Sequence, residues 1–142
     1  MLEQKEEHSV TYHLGHDPSE VGYLREQARK IVPGWGLDEH CYLIEVLLSE
    51  LVTNAVHHGE GDIEVCLSYT HGDLRIEVHD DGRERPVHRR PSADDLSGRG
   101  LVLIDGLVEL HGGIWGVGDD SSGPGKAVFA AIQLPPSSQS PG

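Results

Sequence analysis

The sequence predicts an α/β (α+β) domain, a two-layer sandwich in which a mostly antiparallel mixed sheet is covered on one face by helices. Three observations point there. Segments such as Asp62–Tyr69 and Asp73–His79 alternate apolar and polar residues with period two, as half-buried strands do. Longer segments such as 38–57 carry apolar residues at helical spacing, on one face. The strand segments come in pairs joined by short polar links, which favours hairpins and antiparallel pairing.

In chain order, residues 1–7 (MLEQKEE) read as a flexible, solvated start, residues 8–134 as the folded domain and residues 135–142 (PPSSQSPG) as a disordered tail. His8–Leu14 sets Val10, Tyr12 and Leu14 against polar neighbours, a strand pattern. Asp17-Pro18-Ser19-Glu20 then reads as a helix start: Asp17 as N-cap, Pro18 at the first helical position, Glu20 reaching back as in a capping box. Val21, Leu24, Ala28 and Ile31 give this helix one apolar stripe, and Pro33-Gly34 is expected to stop it. A second helix is expected from about Asp38 to His57, with Gly59 as terminator and Ile44, Leu47, Leu48, Leu51, Val52 and Ala55 as its apolar face. Two strands follow, linked by Thr70-His71-Gly72. Residues 83–97 hold two prolines and many charges without an apolar period, and read as a mobile loop. A third helix from about Arg99 to Leu110 is expected to put Leu103, Leu107 and Leu110 in the core and to end at Gly112-Gly113. Ile114–Gly118 and Val128–Leu134 close the domain as a last hairpin.

Composition narrows the function classes. At 142 residues a single domain buries about 68–70% of its unfolded surface without staples. No apolar run has the length of a membrane span, and the acidic start lacks a signal-peptide layout, so a cytoplasmic protein without membrane contact is expected. The net charge of -13 argues against direct nucleic-acid binding and suits a protein partner with a basic surface. Cys41 and Cys66 sit in apolar runs and are expected to be reduced, small core residues. The ten histidines are scattered, with no HExxH motif and no Cys/His cluster, so a structural zinc site is not expected.

The chemistry sits in an ordered set of motifs. Glu50 and Asn54 lie i,i+4 along one edge of the second helix. Each alone is most simply a polar helical residue. Together they can share a hydrated Mg²⁺ and the end of a triphosphate, with Glu50 as general base and Asn54 as a neutral oxygen ligand. Asp80-Asp81-Gly82 ends a strand, where it could simply be a turn; alternatively Asp80 accepts from the edge of a base while Gly82 lets the backbone pass close to the ring. Gly98-Arg99-Gly100-Leu101 opens the third helix, where glycine N–H groups at a helix start can approach phosphates.

The strings ELVTNAVHHG, VHDDG and GRGLVLIDGL, in that order and at these separations, resemble the asparagine box and the two glycine boxes of the GHKL (Bergerat-fold) ATPases. The resemblance covers residues 8–134. Within that superfamily the chain looks like the small stand-alone anti-sigma-factor serine kinases of the SpoIIAB/RsbW type. On this resemblance neither the phosphoacceptor helix pair of a sensor histidine kinase nor an appended transducer domain is expected. The resemblance implies ATP and Mg²⁺ as cofactors, Glu50 as the acid that activates the acceptor hydroxyl and Asn54 as the Mg²⁺ ligand. It implies Asp80 as the adenine reader with Gly82 beside it, Gly98, Arg99, Gly100 and Leu101 at the phosphates, and residues 83–97 as the ATP lid. The implied partners are an RNA polymerase sigma factor and an anti-sigma-factor antagonist phosphorylated on serine; homodimer formation is left open. Two positions depart from the pattern: Glu84 stands where a second glycine is usual, and Ala127 where a threonine commonly joins the water network around adenine. They keep a second reading in view, a non-catalytic ATP-binding partner-switching module.

Overall fold

The computed structural model describes residues 7–82, 96–119 and 126–135, and for 96–102 and 119 the backbone path only. The elements are β1 (Glu7–Leu14), α1 (Ser19–Ile31), α2 (Cys41–His58), β2 (Ile63–Thr70), β3 (Asp73–Asp80), α3 (Leu96–Leu110), β4 (Ile114–Asp119) and β5 (Lys126–Gln133). The five strands form one sheet in the order β1-β2-β3-β5-β4. Every adjacent pair is antiparallel, so the sheet expected to be mixed has no parallel pair among the described residues.

The helices cover one face of this sheet, as the alternation requires. Ile63, Val65, Leu67 and Tyr69 of β2 and Leu74, Ile76 and Val78 of β3 are buried against Ile44, Leu47, Leu48, Leu51, Val52 and Ala55 of α2. All six expected core positions of α2 are thus in the core. Truncating one of them, Leu51→Ala for instance, costs about 2–5 kcal/mol in transfer and cavity terms. One charge shares their burial: Glu45 is 6% exposed and accepts from Arg29 Nε through both oxygens at 3.1 Å, with Arg25 Nε at 3.7 Å. The ion cluster fixes α1 on α2, and the sequence pattern gave no sign of it.

Local chemistry sets the element ends. The β2–β3 link turns through His71 (φ 51) and Gly72 (φ 87), the two consecutive positive values that a two-residue hairpin matched to strand twist demands. Asp17 Oδ1 accepts from the Ser19 N–H at 3.0 Å, which holds its carboxyl below the usual carboxylate range. Glu20 reaches back farther than a capping box requires, to the Gly15 N–H at 3.0 Å. Helix α1 ends at Ile31, just ahead of Pro33-Gly34, as expected, and the chain continues. It tightens into a 3-10 turn over Val32–Trp35 and ends at Gly36 (φ 81), whose N–H donates to Pro33 O at 3.0 Å.

Further expectations are corrected. Helix α3 begins at Leu96, ahead of the expected Arg99. Its core contacts are Ile104 and Val108, with Leu107 half-buried, while Leu103 and Leu110 are 42% and 75% exposed. The apolar run offered two helical faces one residue apart, and packing selected the second. Both cysteines are free and half-buried: Cys41 packs against the core, whereas Cys66 lies on the face of β2 turned away from the helices. Of the lid expected at residues 83–97, residues 96 and 97 belong to α3, and 83–95, Glu84 included, lie outside the described residues, as do the termini at 1–6 and 136–142.

Candidate functional site

The end of α2 and the ends of β3 and β5 converge on Asp80. Its side chain is 1% exposed. Oδ1 accepts from the Gly82 N–H at 2.7 Å and from Lys126 Nζ at 3.2 Å, with the Glu60 N–H farther off at 3.4 Å. Lys126 is the direct cross-strand partner of Asp80 and is itself only 4% exposed, so the two form a buried ion pair across β3 and β5.

Glycines make this approach possible. A Cβ at Gly59 would stand 2.7 Å from Ala55 O and 2.8 Å from Asp80 Cγ, closer than carbon atoms tolerate. Gly59 also closes α2 by donating its N–H to Ala55 O at 2.7 Å. At Gly82 a Cβ would lie 3.0 Å from Asp80 Oδ1 and 3.3 Å from Glu60 Cγ. The Asp81 N–H donates to Glu60 O at 2.8 Å, so the turn after α2 and the turn after β3 interlock. His16, between β1 and α1, ties into the same turn: Nδ1 is 3.1 Å from Val56 O and Nε2 is 2.7 Å from Gly61 O. Both partners are acceptors, so both contacts are hydrogen bonds only in the doubly protonated ring, which they favour. The carbonyl of Val56 first, then that of Gly61, raises the imidazole above its ordinary pKa.

Asn54 lies one helical turn before the end of α2 against which Asp80 packs, and Glu50 one turn farther back; both are half-buried. A carboxylate beside a neutral amide oxygen, partly open to solvent, is a donor set that suits Mg²⁺, which keeps several waters and takes few protein ligands. Asp80 and Gly82 are brought to this end of the layers. Gly98, Arg99, Gly100 and Leu101 lie within the first two turns of α3 rather than ahead of it. Gly98 is in the first turn, where N–H groups have no intrahelical acceptor, whereas Gly100 and Leu101 enter the helix ladder. Their side chains are outside the described residues.

Lys126 and His16 were not singled out from sequence, and Gly59 was singled out only as the terminator of the second helix, which it is. Ala127, the position compared with a threonine near adenine, pairs with His79 and so sits on the opposite face from Asp80. The residue that β5 presents to Asp80 is Lys126.

The family pattern described as the histidine kinase-like ATPase domain matches residues 14–114. The chain belongs to this family. The ATPase domain is 33% identical over 105 residues to the sensor protein DivL of Caulobacter vibrioides, covering 67% of this chain and 13% of that protein. The histidine kinase domain from the Erythrobacter litoralis EL346 blue-light activated histidine kinase shares the fold, with a TM-score of 0.51 at 24% identity over 82% of this chain and 60% of that one. The ATPase domain therefore spans a small part of the curated relative and less than two thirds of the solved one. ATP binding is expected for a domain of this type. The matched segment stops short of Lys126. Among the described residues no helix is long and apolar enough to cross a membrane.

Proposed function

We propose that this ATPase domain is an anti-sigma factor with protein serine kinase activity. It binds Mg·ATP, sequesters an RNA polymerase sigma factor and phosphorylates a serine of an anti-sigma-factor antagonist. The observation that carries the nucleotide site is Asp80, a carboxylate buried at a strand end and held there by Gly82 and Gly59, next to the helix that carries Glu50 and Asn54. The anti-sigma role and the serine acceptor rest on the motif resemblance.

In this reading Asp80 accepts the exocyclic amine of adenine, and Gly82 keeps the backbone close to the ring. Asn54 would hold Mg²⁺ through its amide oxygen, and the ion would neutralise charge on the phosphates. Glu50 takes the proton from the serine hydroxyl as its oxygen bonds to the γ-phosphorus and the bond to the β-bridging oxygen breaks, releasing ADP. Phosphoryl transfer depends mainly on positioning and charge stabilisation, so a carboxylate, an amide and backbone N–H groups suffice as machinery.

Glu84 and Ala127, the two departures from the family pattern, favour a second reading, a non-catalytic ATP-binding partner-switching module. With purified antagonist and labelled ATP, the kinase reading expects label on one antagonist serine, dependent on Mg²⁺ and Glu50. Stable complexes without label would select the binding module. Label on a histidine would refute the serine assignment and support histidine chemistry.

A further inference from the structure

The face of the sheet turned away from the helices carries a cluster that the nucleotide reading does not use. Glu64 and Cys66 stand two residues apart on β2 and therefore share this face. His79 of β3 is the direct cross-strand partner of Glu64. One ligand-type atom from each of the three lies within 4.8 Å of the others.

We propose that Glu64, Cys66 and His79 bind a zinc-class divalent transition-metal ion on the open face of the sheet. Zinc takes Sγ at about 2.3 Å and N or O at about 2.0–2.2 Å, so tetrahedral ligand atoms sit roughly 3.3–3.8 Å apart. The three side chains need to close by about 1 Å, which χ rotations on a half-open face supply. The set holds a thiolate, an imidazole and a carboxylate. The two anions balance a divalent ion, and the soft sulfur favours zinc-like metals over Mg²⁺.

A neighbouring residue orients the imidazole. Glu77 Oε1 is 3.1 Å from His79 Nε2, a carboxylate contact of the kind that orients a metal-binding imidazole. Arg75 secures Glu77 in turn, with Nε 2.5 Å from Oε2. For the fourth position the register supplies His13 of β1, opposite Glu64, with Nε2 3.8 Å from Glu64 Oε2 and a side chain 72% exposed and free to turn. The ion would join β1, β2 and β3. It would lie on the side of β3 opposite Asp80, apart from the Mg²⁺ position proposed at Asn54.

The test is a Co²⁺ titration of the full chain in excess Mg²⁺, followed by thiolate-to-cobalt charge-transfer absorption. The expected result is a one-to-one band that Zn²⁺ bleaches, that Cys66→Ser abolishes and that Cys41→Ser leaves intact. In the wild-type chain, Zn²⁺ should slow alkylation of Cys66 by at least about tenfold while leaving Cys41 unchanged; this arm holds even where Cys66→Ser does not fold. No charge-transfer band at millimolar Co²⁺, a band lost with Cys41, a band suppressed by Mg²⁺, or equal zinc protection of both cysteines would each overturn the proposal.

Discussion

Lys126→Met breaks the buried ion pair while keeping an unbranched side chain of similar length, so its effect reads out the pair rather than a cavity. Lys126 Nζ and Asp80 Oδ1 are 3.2 Å apart, with side chains 4% and 1% exposed. At an effective dielectric of about 20 that separation gives roughly 5 kcal/mol of attraction. Desolvating both groups offsets much of it, so the intact pair contributes little net stability. Removing one partner is different, because the other stays buried and uncompensated, typically at about 3–5 kcal/mol. Asp80 would keep the Gly82 N–H at 2.7 Å and the weaker Glu60 N–H at 3.4 Å. The expected loss therefore lies at the lower end, about 3 kcal/mol. At about 4 °C per kcal/mol for a domain of this size, Tm should fall by roughly 12 °C. Urea and thermal melts of the wild type, Lys126→Met, Asp80→Asn and the double variant measure it. The double variant should lose less than the sum of the singles, with a coupling of about 1–3 kcal/mol. A Lys126→Met protein within about 1 kcal/mol of wild type, or strict additivity, would refute a buried pair of this kind.

Asn54→Ala should lose Mg²⁺-dependent ATP affinity, whereas Glu50→Gln should bind ATP normally and fail in phosphoryl transfer; equal loss of binding in calorimetry would remove Glu50 from the role of base. Gly59→Ala introduces a Cβ 2.7 Å from Ala55 O and 2.8 Å from Asp80 Cγ, so it should cost about 1–3 kcal/mol in a urea melt and displace Asp80. Glu45→Ala, which removes the buried carboxylate that joins the half-exposed Arg25 and Arg29 of α1 to α2, should lower the urea midpoint more than Glu64→Ala on the open sheet face. His16 binds its proton more tightly in the folded state, where its pKa is raised above the ordinary 6.5. Its contribution is fully present below that ordinary value and is lost as the pH rises through the raised folded value. The urea midpoint should fall across that window in the wild type, and the His16-dependent part of the fall should vanish in His16→Gln.

The legible part of this molecule is the part governed by local periodicity. The six-residue core face of α2 and the alternation of β2 and β3 follow from spacing alone, because each face meets one continuous apolar layer. Local rules decided less where two solutions lay close in energy. The run after Gly100 offers Leu103 and Leu110 on one face and Ile104 and Val108 on the next, and only contact with the sheet selects the second. The site divides in the same way. Glu50, Asn54, Asp80 and Gly82 could be put forward as candidates because their spacing within a helix or a strand end is a sequence property. Lys126 was not, because it meets Asp80 only through strand order: β5 inserts between β3 and β4, and the register then sets residue 126, not 127, opposite residue 80. The Glu64–Cys66–His79 cluster was hidden for the same reason, since its residues join two strands at a register that no linear spacing encodes. A one-residue slip in either pairing would exchange the faces, moving Ala127 toward Asp80 or His79 into the core. The antiparallel register therefore decides which side chain meets the candidate nucleotide site and which faces open solvent.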